Sequence, residues 1–424
     1  MTGWTNWSGT VRADVDIATP GSIAELQEIV TTGRHLKAVG AGHSFTALAQ
    51  TDGVQIRLDR MSGVLRADRE SGLVTVLAGT RLHELNETLW QLGLALANLG
   101  HIDAQTVAGA ISTGTHGTGG RLGGLATQVC GMQLVLADGS LLDVGADLLP
   151  AARIGLGALG VIATVTLQCV PAFLLAASEA PGSLDDTLAG MQTNVAGNDH
   201  FEFYWFPHTR RVYTKRSNQV LPDTALKPIG RVRHFIDDEL LSKTAFGAIN
   251  RLTTRRPSLI PRTNAIAART LPARDYIDRS YRVFASPRRV VFREMEYAVP
   301  RVAVPYVLAE IETWLARSGE RIGFPVEVRF AAADDIWLSA AYQRDSAYVA
   351  VYQYHRRAHE GYFTAVEAIA RSVRGRPHWG KLHSLSRDEL WQAYPRFDDF
   401  LAVRDKLDPR RVFANDHLAR LLGP

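Results

Sequence analysis

Three short stretches of the 424-residue chain hold residues whose types and spacing point to chemistry. The first is AVGAGHSF, residues 38 to 45, where Gly40, Ala41 and Gly42 form a turn directly before His43, with Ser44 and Phe45 after it. A glycine turn lets the backbone approach a bound group closely. The imidazole at its tip either hydrogen-bonds within the loop or is presented to a ligand. The second stretch is PVEVRF, residues 325 to 330. Glu327 and Arg329 alternate on a strand, so both project from one face, with Val326 and Val328 on the other. Such a pair can grip adjacent hydroxyls of one ligand or form a salt bridge at a domain boundary, and the spacing is the same for both. The third is RPHWGK, residues 376 to 381. Only six of the 47 basic residues are lysines. Lys381 is therefore a point charge in a chain that elsewhere writes arginine, and the alternative is a surface lysine beside a turn.

These residues need elements to position them. Glycines cluster in three turns of the first 170 residues, at 40 to 42, 114 to 120 and 155 to 160. Successive N–H groups in such turns form anion-binding concavities, and several in one region suggest a pyrophosphate. GAGHSF lacks a third glycine opening a helix, and there is no Walker sequence, so a nicotinamide fold or a nucleotide hydrolase is disfavoured. Around the turns the pattern predicts helix over 21–35, strand over 72–80, helix over 81–96, strand over 129–140 with an Asp-Gly turn, and strand within 156–168. From about residue 173 the texture changes. Helix is predicted over 304–319 and strand over 324–332 and 346–355, and the last fifty residues read as helix with a proline-containing tail. The fold class is α+β.

Composition narrows the rest. The net charge of +4 is spread among interspersed charges of both signs, which argues against a nucleic-acid partner. The basic stretches 208–219 and 250–262 lack interleaved stacking aromatics and read as solvated loops. Cys130 and Cys169 each lie in an apolar, strand-like run and read as buried, inert thiols. The first residues have no charged segment followed by an apolar one. The most apolar window, 148–170, carries Arg153 and reads as loop then buried strand, so no membrane span and a cytoplasmic location are expected.

AVGAGHSF with TDG after it, AGAISTGTHGTG (108 to 119) and LGALGVI (156 to 162), in this order and at these separations, resemble the PCMH-type FAD-binding domain of the vanillyl-alcohol-oxidase family. MEYAVP (295 to 300), PVEVRF, RPHWGK and LDPRRVFAN (407 to 415) extend the likeness over nearly the whole chain. They are similar to the aldonolactone oxidoreductases: gulonolactone and arabinonolactone oxidases or dehydrogenases, and alditol oxidases. The overall texture is nearest to the actinobacterial gulonolactone dehydrogenases.

The resemblance implies a two-part FAD domain over 1–172, a substrate-binding α+β cap over 173–375, and a segment 376–424 returning to the flavin. It implies FAD held by Gly40, Ala41, Gly42, Ser44 and Phe45, by Gly109, Ala110, Gly114, Thr115, His116, Gly117, Thr118 and Gly119, and by Gly157, Gly160, Val161 and Ile162. His43 would bond covalently to the 8α carbon of the flavin, which requires a neutral imidazole. His116 would buttress the loop, and Ser112, with Ala110, would lie near the reacting edge. Lys381 would supply the cation that stabilises negative charge at N1 and the C2 carbonyl of the reduced ring. Arg329 and Glu327 would face the substrate, with Glu294 and Gln353 holding the sugar, and His378 and Trp379 would brace the Lys381 turn. Two departures, Val351 in place of a histidine and Glu294 in place of an amide, argue against a plain alditol oxidase. The implied partners are a sugar lactone or polyol and O2 or another electron acceptor. No metal is implied.

Overall fold

The computed structural model describes residues 2–32, 35–230, 246–285 and 290–424. Two small sheets form the amino-terminal part. In the first the order is β1 (Thr2–Thr5), β2 (Arg12–Ala18), β4 (Val54–Arg57), β3 (Leu36–Val39), with β4 parallel to both β2 and β3. Helix Ile23–Val30 precedes β3, and the Ser22 side chain caps it by accepting from the Glu25 amide. Residues 33 and 34 of its expected span lie outside the described residues. The second sheet is antiparallel, in the order β5 (Val64–Ala67), β6 (Leu73–Leu77), β10 (Val161–Gln168), β8 (Val129–Val135), β9 (Leu141–Asp143). A short pair, β7 (Leu94–Ala95) and β11 (Val170–Pro171), leads onward.

The rest is built on an eight-stranded antiparallel sheet. Its order is β15 (Arg274–Arg279), β12 (Leu174–Ser183), β14 (Arg211–Val220), β13 (His200–Phe206), β17 (Val326–Ala331), β18 (Ser346–Tyr354), β16 (Phe292–Pro300), β19 (Arg376–Pro377). Directly opposed residues of an antiparallel pair share a face, so the registers sort the side chains. One face carries Glu202, Tyr204, Glu327, Arg329, Tyr348, Tyr352, Glu294 and Glu296. The other carries apolar residues such as Phe201, Phe203, Val326, Val328, Val349 and Met295, all buried in the main core. Helix Val304–Ser318, closed by Gly319 at φ 71°, and helix Glu360–Ser372 pack together, and the latter lies against β16.

Two elements differ from their sequence reading. The stretch 208–219 is largely β14, a strand paired on both sides, because its basic side chains lay their stems along neighbours. Lys215 Nζ donates to the Val283 carbonyl at 2.7 Å, and the Arg216 guanidinium sits over the Phe201 ring. The basic residues of 250–262 likewise lie mostly in helices, Phe246–Arg255 and Ile260–Thr270. Cys130 is exposed, since the alternation of β8 turns it outward beside buried Val129, whereas Cys169 is buried and its thiol is pushed up to about 12 by burial.

The two parts are stitched together by the glycine segment after helix Val107–Ser112. Gly119 N donates to the Phe330 carbonyl at 2.8 Å, Thr118 Oγ1 to the Phe201 carbonyl at 2.5 Å, and Phe330 N to Thr118 Oγ1 at 3.1 Å. The carboxyl-terminal residues return to the first sheet. Asn415 Nδ2 donates to the carbonyls of Ala47, Leu48 and Gln50, and Leu36 N bonds the Val412 carbonyl.

Candidate active site

Two hollows meet at His43, Ser44, Gln105 and Thr113. The larger, about 940 Å³, is walled by Gly40 and Gly42 from the first turn, Gly109 and Ser112 from helix Val107–Ser112, and Gly157 and Gly160 from the third turn. Close approach explains one of these glycines: a Cβ on Gly40 would lie 2.4 Å from Thr106 Oγ1. Backbone conformation explains others, with φ of 69° at Gly42 and 61° at Gly157. Among the described residues, the amides of Ala41, Gly42, His43 and Ser44 have no protein acceptor, and all four residues line this cleft. Four successive free amides form an anion-binding nest, which is the chemistry a flavin dinucleotide's diphosphate requires.

Lys37, at the base of the cleft, is buried in a strand. Its Nζ donates to the carbonyls of Gly157 at 3.0 Å and Phe413 at 2.9 Å, tying the third turn to the carboxyl-terminal segment. Burial, with Arg404 adding to it, pulls this amine down to about 7.

His43 sits where the hollows join. Its Nδ1 is buried with no hydrogen-bond partner, and burial, reinforced by Lys381 and Arg81, holds the ring pKa down to about 4. The imidazole is therefore neutral at pH 7.

The smaller hollow, about 690 Å³, is floored by the polar face of the large sheet. Four buried carboxylates, Glu202, Glu294, Glu296 and Glu327, share that face, and buried charges persist only when paired. Arg329 pairs with two of them: Nη2 lies 3.1 Å from Glu296 Oε1 and Nε 3.1 Å from Glu327 Oε1, while Nη1 donates to the His116 carbonyl at 3.1 Å. His101 bridges one of these and a third, with Nδ1 3.2 Å from Glu327 and Nε2 2.9 Å from Glu202. Burial opposes protonation of His101, but the flanking carboxylates outweigh it and raise its pKa.

His116 also presents both nitrogens to acceptors, Nδ1 to the Gly117 carbonyl at 2.9 Å and Nε2 to Glu296 Oε1 at 3.1 Å. A carbonyl accepts only, so Nδ1 is protonated, and Nε2 faces the Glu296 carboxylate. Burial lowers the His116 pKa. It also disfavours ionisation of Glu296, but His116 and Arg329 outweigh it and hold that carboxyl well below the usual range. The His116 ring stacks on Tyr348, centroids 3.5 Å apart. Glu296 Oε2 is buried without a hydrogen-bond partner among the described residues and belongs to a residue lining the chamber.

Lys381 completes the balance, its Nζ 2.5 Å from Glu294 Oε2 and 5.1 Å from the centre of the Phe45 ring. Burial raises the Glu294 pKa; Lys381 pulls it down, while Glu296 and Glu327 add to the rise. The turn carrying Lys381 is fixed on all sides. His378 N donates to the Glu296 carbonyl, Phe45 N to the Gly380 carbonyl, and Leu382 N to the Glu294 carbonyl. Trp379 stacks on Tyr394 and donates to the Leu338 carbonyl at 2.7 Å.

The structure thus gathers His43, Ser44, Phe45, Thr115, His116, Glu294, Arg329 and Lys381 around one chamber, and Gly40, Ala41, Gly42, Gly109, Ser112, Gly157, Gly160 and Ile162 along the cleft. Other expected residues fall elsewhere. Gln353 shares its face with Arg293, opposite to Glu294 and Tyr352, and its Oε1 accepts from the Tyr354 amide, so the alternation of β18 takes it away from the chamber. Val351 lies on that same far face. Ala110 and Val161 point into the core, and Gly114, with φ 79°, ends the helix. Thr118 and Gly119 bond β13 and β17 across the seam between the two parts, and Gly117 packs against Asn98 and Leu99, where a Cβ would lie 2.3 Å from Asn98 Oδ1. Glu327 lies behind Arg329, bonded by Tyr352 and Tyr204.

Sequence reasoning missed Lys37, His101, Glu202 and Glu296. Period-two spacing from Glu294 could have found Glu296, and a lysine inside the apolar run LKAV could have marked Lys37. Nothing local marks His101.

Comparison with known proteins agrees with this geometry. Residues 16–145 match the family described as FAD binding domain, and residues 165–421 match D-arabinono-1,4-lactone oxidase. An L-gulono-1,4-lactone dehydrogenase of Mycobacterium tuberculosis is 42% identical over 428 residues, covering 99% of both chains. L-gulonolactone oxidase of Bos taurus is 34% identical over 98% of this chain and 97% of its own, and alditol oxidase of a Streptomyces species is 30% identical over 99% of both. Among solved structures, cholesterol oxidase from B. sterolicum superposes with a TM-score of 0.82 at 18% identity, covering 99% of this chain and 96% of the other, a likeness of fold.

Proposed function

The chain belongs to the D-arabinono-1,4-lactone oxidase family, and from that premise we propose that it is an FAD-dependent oxidoreductase that oxidises a hydroxyl of an aldonolactone, of the L-gulono- or D-arabinono-1,4-lactone type, and passes the electrons to O2 or another acceptor. The observation that carries this reading is the meeting of the two hollows at His43: a glycine cleft with a nest of free amides opens into a chamber of paired buried charges. When bound, FAD supplies the acceptor for the hydride that leaves the substrate carbon.

The protein's own residues do the remainder. Arg329 is held rigidly by Glu296, Glu327 and the His116 carbonyl, so its guanidinium meets developing alkoxide charge without reorganising. Glu294, a carboxylate made more basic by burial, takes the hydroxyl proton. Lys381, beside it, lies against Glu294 and over the Phe45 ring, where it would supply positive charge to a bound flavin. Glu296 Oε2 accepts a hydrogen bond from a second hydroxyl of the lactone. Tyr352, Glu327, His101 and Glu202 hold this floor in place.

Anaerobic mixing of the purified flavoprotein with a panel of aldonolactones and polyols tests the reading. The oxidised flavin band is expected to bleach with a lactone and faster than with any polyol. Bleaching by polyols alone would move the assignment to alditol oxidation, and no bleaching by any member would remove it. Repeating the panel in air separates O2 from other acceptors.

His43 is the residue that attaches the flavin covalently. Its neutral, buried, unpartnered Nδ1 meets the requirement for a nucleophile. Acid-precipitated wild-type protein is expected to keep its yellow colour in the pellet, and His43→Ala to release it to the supernatant. A colourless wild-type pellet would show that the flavin is held by contacts alone.

A further inference from the structure

A third hollow, about 1590 Å³ and open to solvent, shares no lining residue with the two described above. Four arginines line it, Arg344, Arg371, Arg374 and Arg376, against a single carboxylate, Glu389. That carboxylate is already committed. Its Oε1 lies 2.6 Å from Arg371 Nη2, and its Oε2 accepts from the Ser386 amide at 2.8 Å in the cap of helix Arg387–Ala393.

The other three guanidiniums form no ion pair within 4 Å among the described residues, although Asp334 lies near enough to favour the Arg376 charge. Arg376 donates only to carbonyls, Nε to Ala393 and Nη1 to Tyr342, both at 2.8 Å. Arg344 donates to the carbonyls of Arg374 at 2.7 Å and Ala298 at 3.0 Å, and its Nε is buried with no partner. Burial and then the neighbouring Arg376 charge pull Arg344 down to about 10, a sign that the positive charges here repel one another in a half-dry site. The backbone accepts strain at the rim as well: Gln343 and Arg374, neither of them glycine, have φ of 49° and 60°. Uncompensated cations gathered around an open hollow are costly for the protein alone and favourable when an anion arrives.

We propose that this hollow binds a polyphosphate anion, either inorganic pyrophosphate or the phosphate chain of a nucleotide. The exposed Arg374 fork, with the N–H groups that Arg344 and Arg376 do not spend on carbonyls, puts several charged donors on one hollow, which favours a ligand with several charged oxygens over a single carboxylate. The site lies apart from the FAD cleft, so the flavin's own diphosphate does not occupy it.

Titration calorimetry of the FAD-loaded protein with inorganic pyrophosphate, ATP and AMP, at constant ionic strength, tests the proposal. One pyrophosphate or one ATP is expected to bind per chain. Arg374→Gln, an exposed change, and Arg344→Gln are each expected to weaken that binding about tenfold, as the loss of one charged hydrogen bond implies. Arg12→Gln, an exposed arginine elsewhere, is the control and leaves it unchanged. Equal affinity for pyrophosphate and ATP assigns recognition to the phosphates, and tighter ATP binding assigns it to a nucleotide. Absence of one-to-one binding for both, or equal weakening by the Arg12 variant, overturns the proposal. Thermal melts of each variant show whether a loss of binding reflects a loss of fold.

Discussion

Arg329→Lys is expected to slow flavin reduction by substrate roughly 10²–10³-fold while leaving FAD bound. The lysine keeps one positive charge near Glu296 and Glu327 but loses the planar fork that reaches both carboxylates and the His116 carbonyl at once. What fails is the aim of the charge. Arg329→Ala is expected to abolish reduction, and to do more. It leaves Glu296 and Glu327 buried beside each other with one fewer cation, a loss that typically costs about 3–5 kcal/mol of stability. Stopped-flow reduction under anaerobic conditions, paired with melting curves, separates the two effects. Near-normal reduction in the lysine variant would remove Arg329 from the chemistry and leave it a strut between two strands.

Glu294→Gln is the second variant with a large expected effect, a fall of roughly 10²–10⁴-fold in the reductive rate, the range associated with loss of a general base. It also changes the shape of the pH profile. Glu294 must be ionised to accept a proton, and burial places its pKa above the ordinary value of 4.5. The wild-type rate therefore falls as the pH drops through that raised value. The glutamine variant has no group to titrate there, so its slow rate should be flat across the same range. A full acid limb in the variant would assign the proton to another group, and Glu296 is the neighbour to change next. Because the neutral amide cannot form an ion pair with Lys381, tighter or weaker FAD retention in this variant reports whether the lysine's position depends on Glu294.

Which residues were legible beforehand follows from the range of the forces involved. Glycines at 40, 42, 157 and 160 announced turns because only local backbone strain or close approach demands them, and the turns line one cleft. Strand alternation placed Glu327 and Arg329 on one face, and β17 bears this out with Nε 3.1 Å from Oε1. The same rule, applied without register, misplaced Gln353: spacing tells which residues of β18 share a face, and only pairing with β16 tells which face is polar. Thr118 and Gly119 read in sequence as part of a cofactor cradle, yet they bond β13 and β17, since a glycine that admits a ligand and one that admits another strand look alike in sequence.

The amino-acid sequence by itself carried the α+β class, the family and the glycine turns, and it singled out His43, Arg329 and Lys381 as candidates, all three of which line the chamber. Tertiary structure alone decided that His116 meets Glu296, that His101 is clamped between Glu202 and Glu327, and that Lys37 ties a glycine turn to the far end of the chain. Local sequence sets conformation over a few residues. The ionisation of a buried group is set by charges within a few ångströms, and here those charges come from strands and loops separated by more than a hundred positions in the chain.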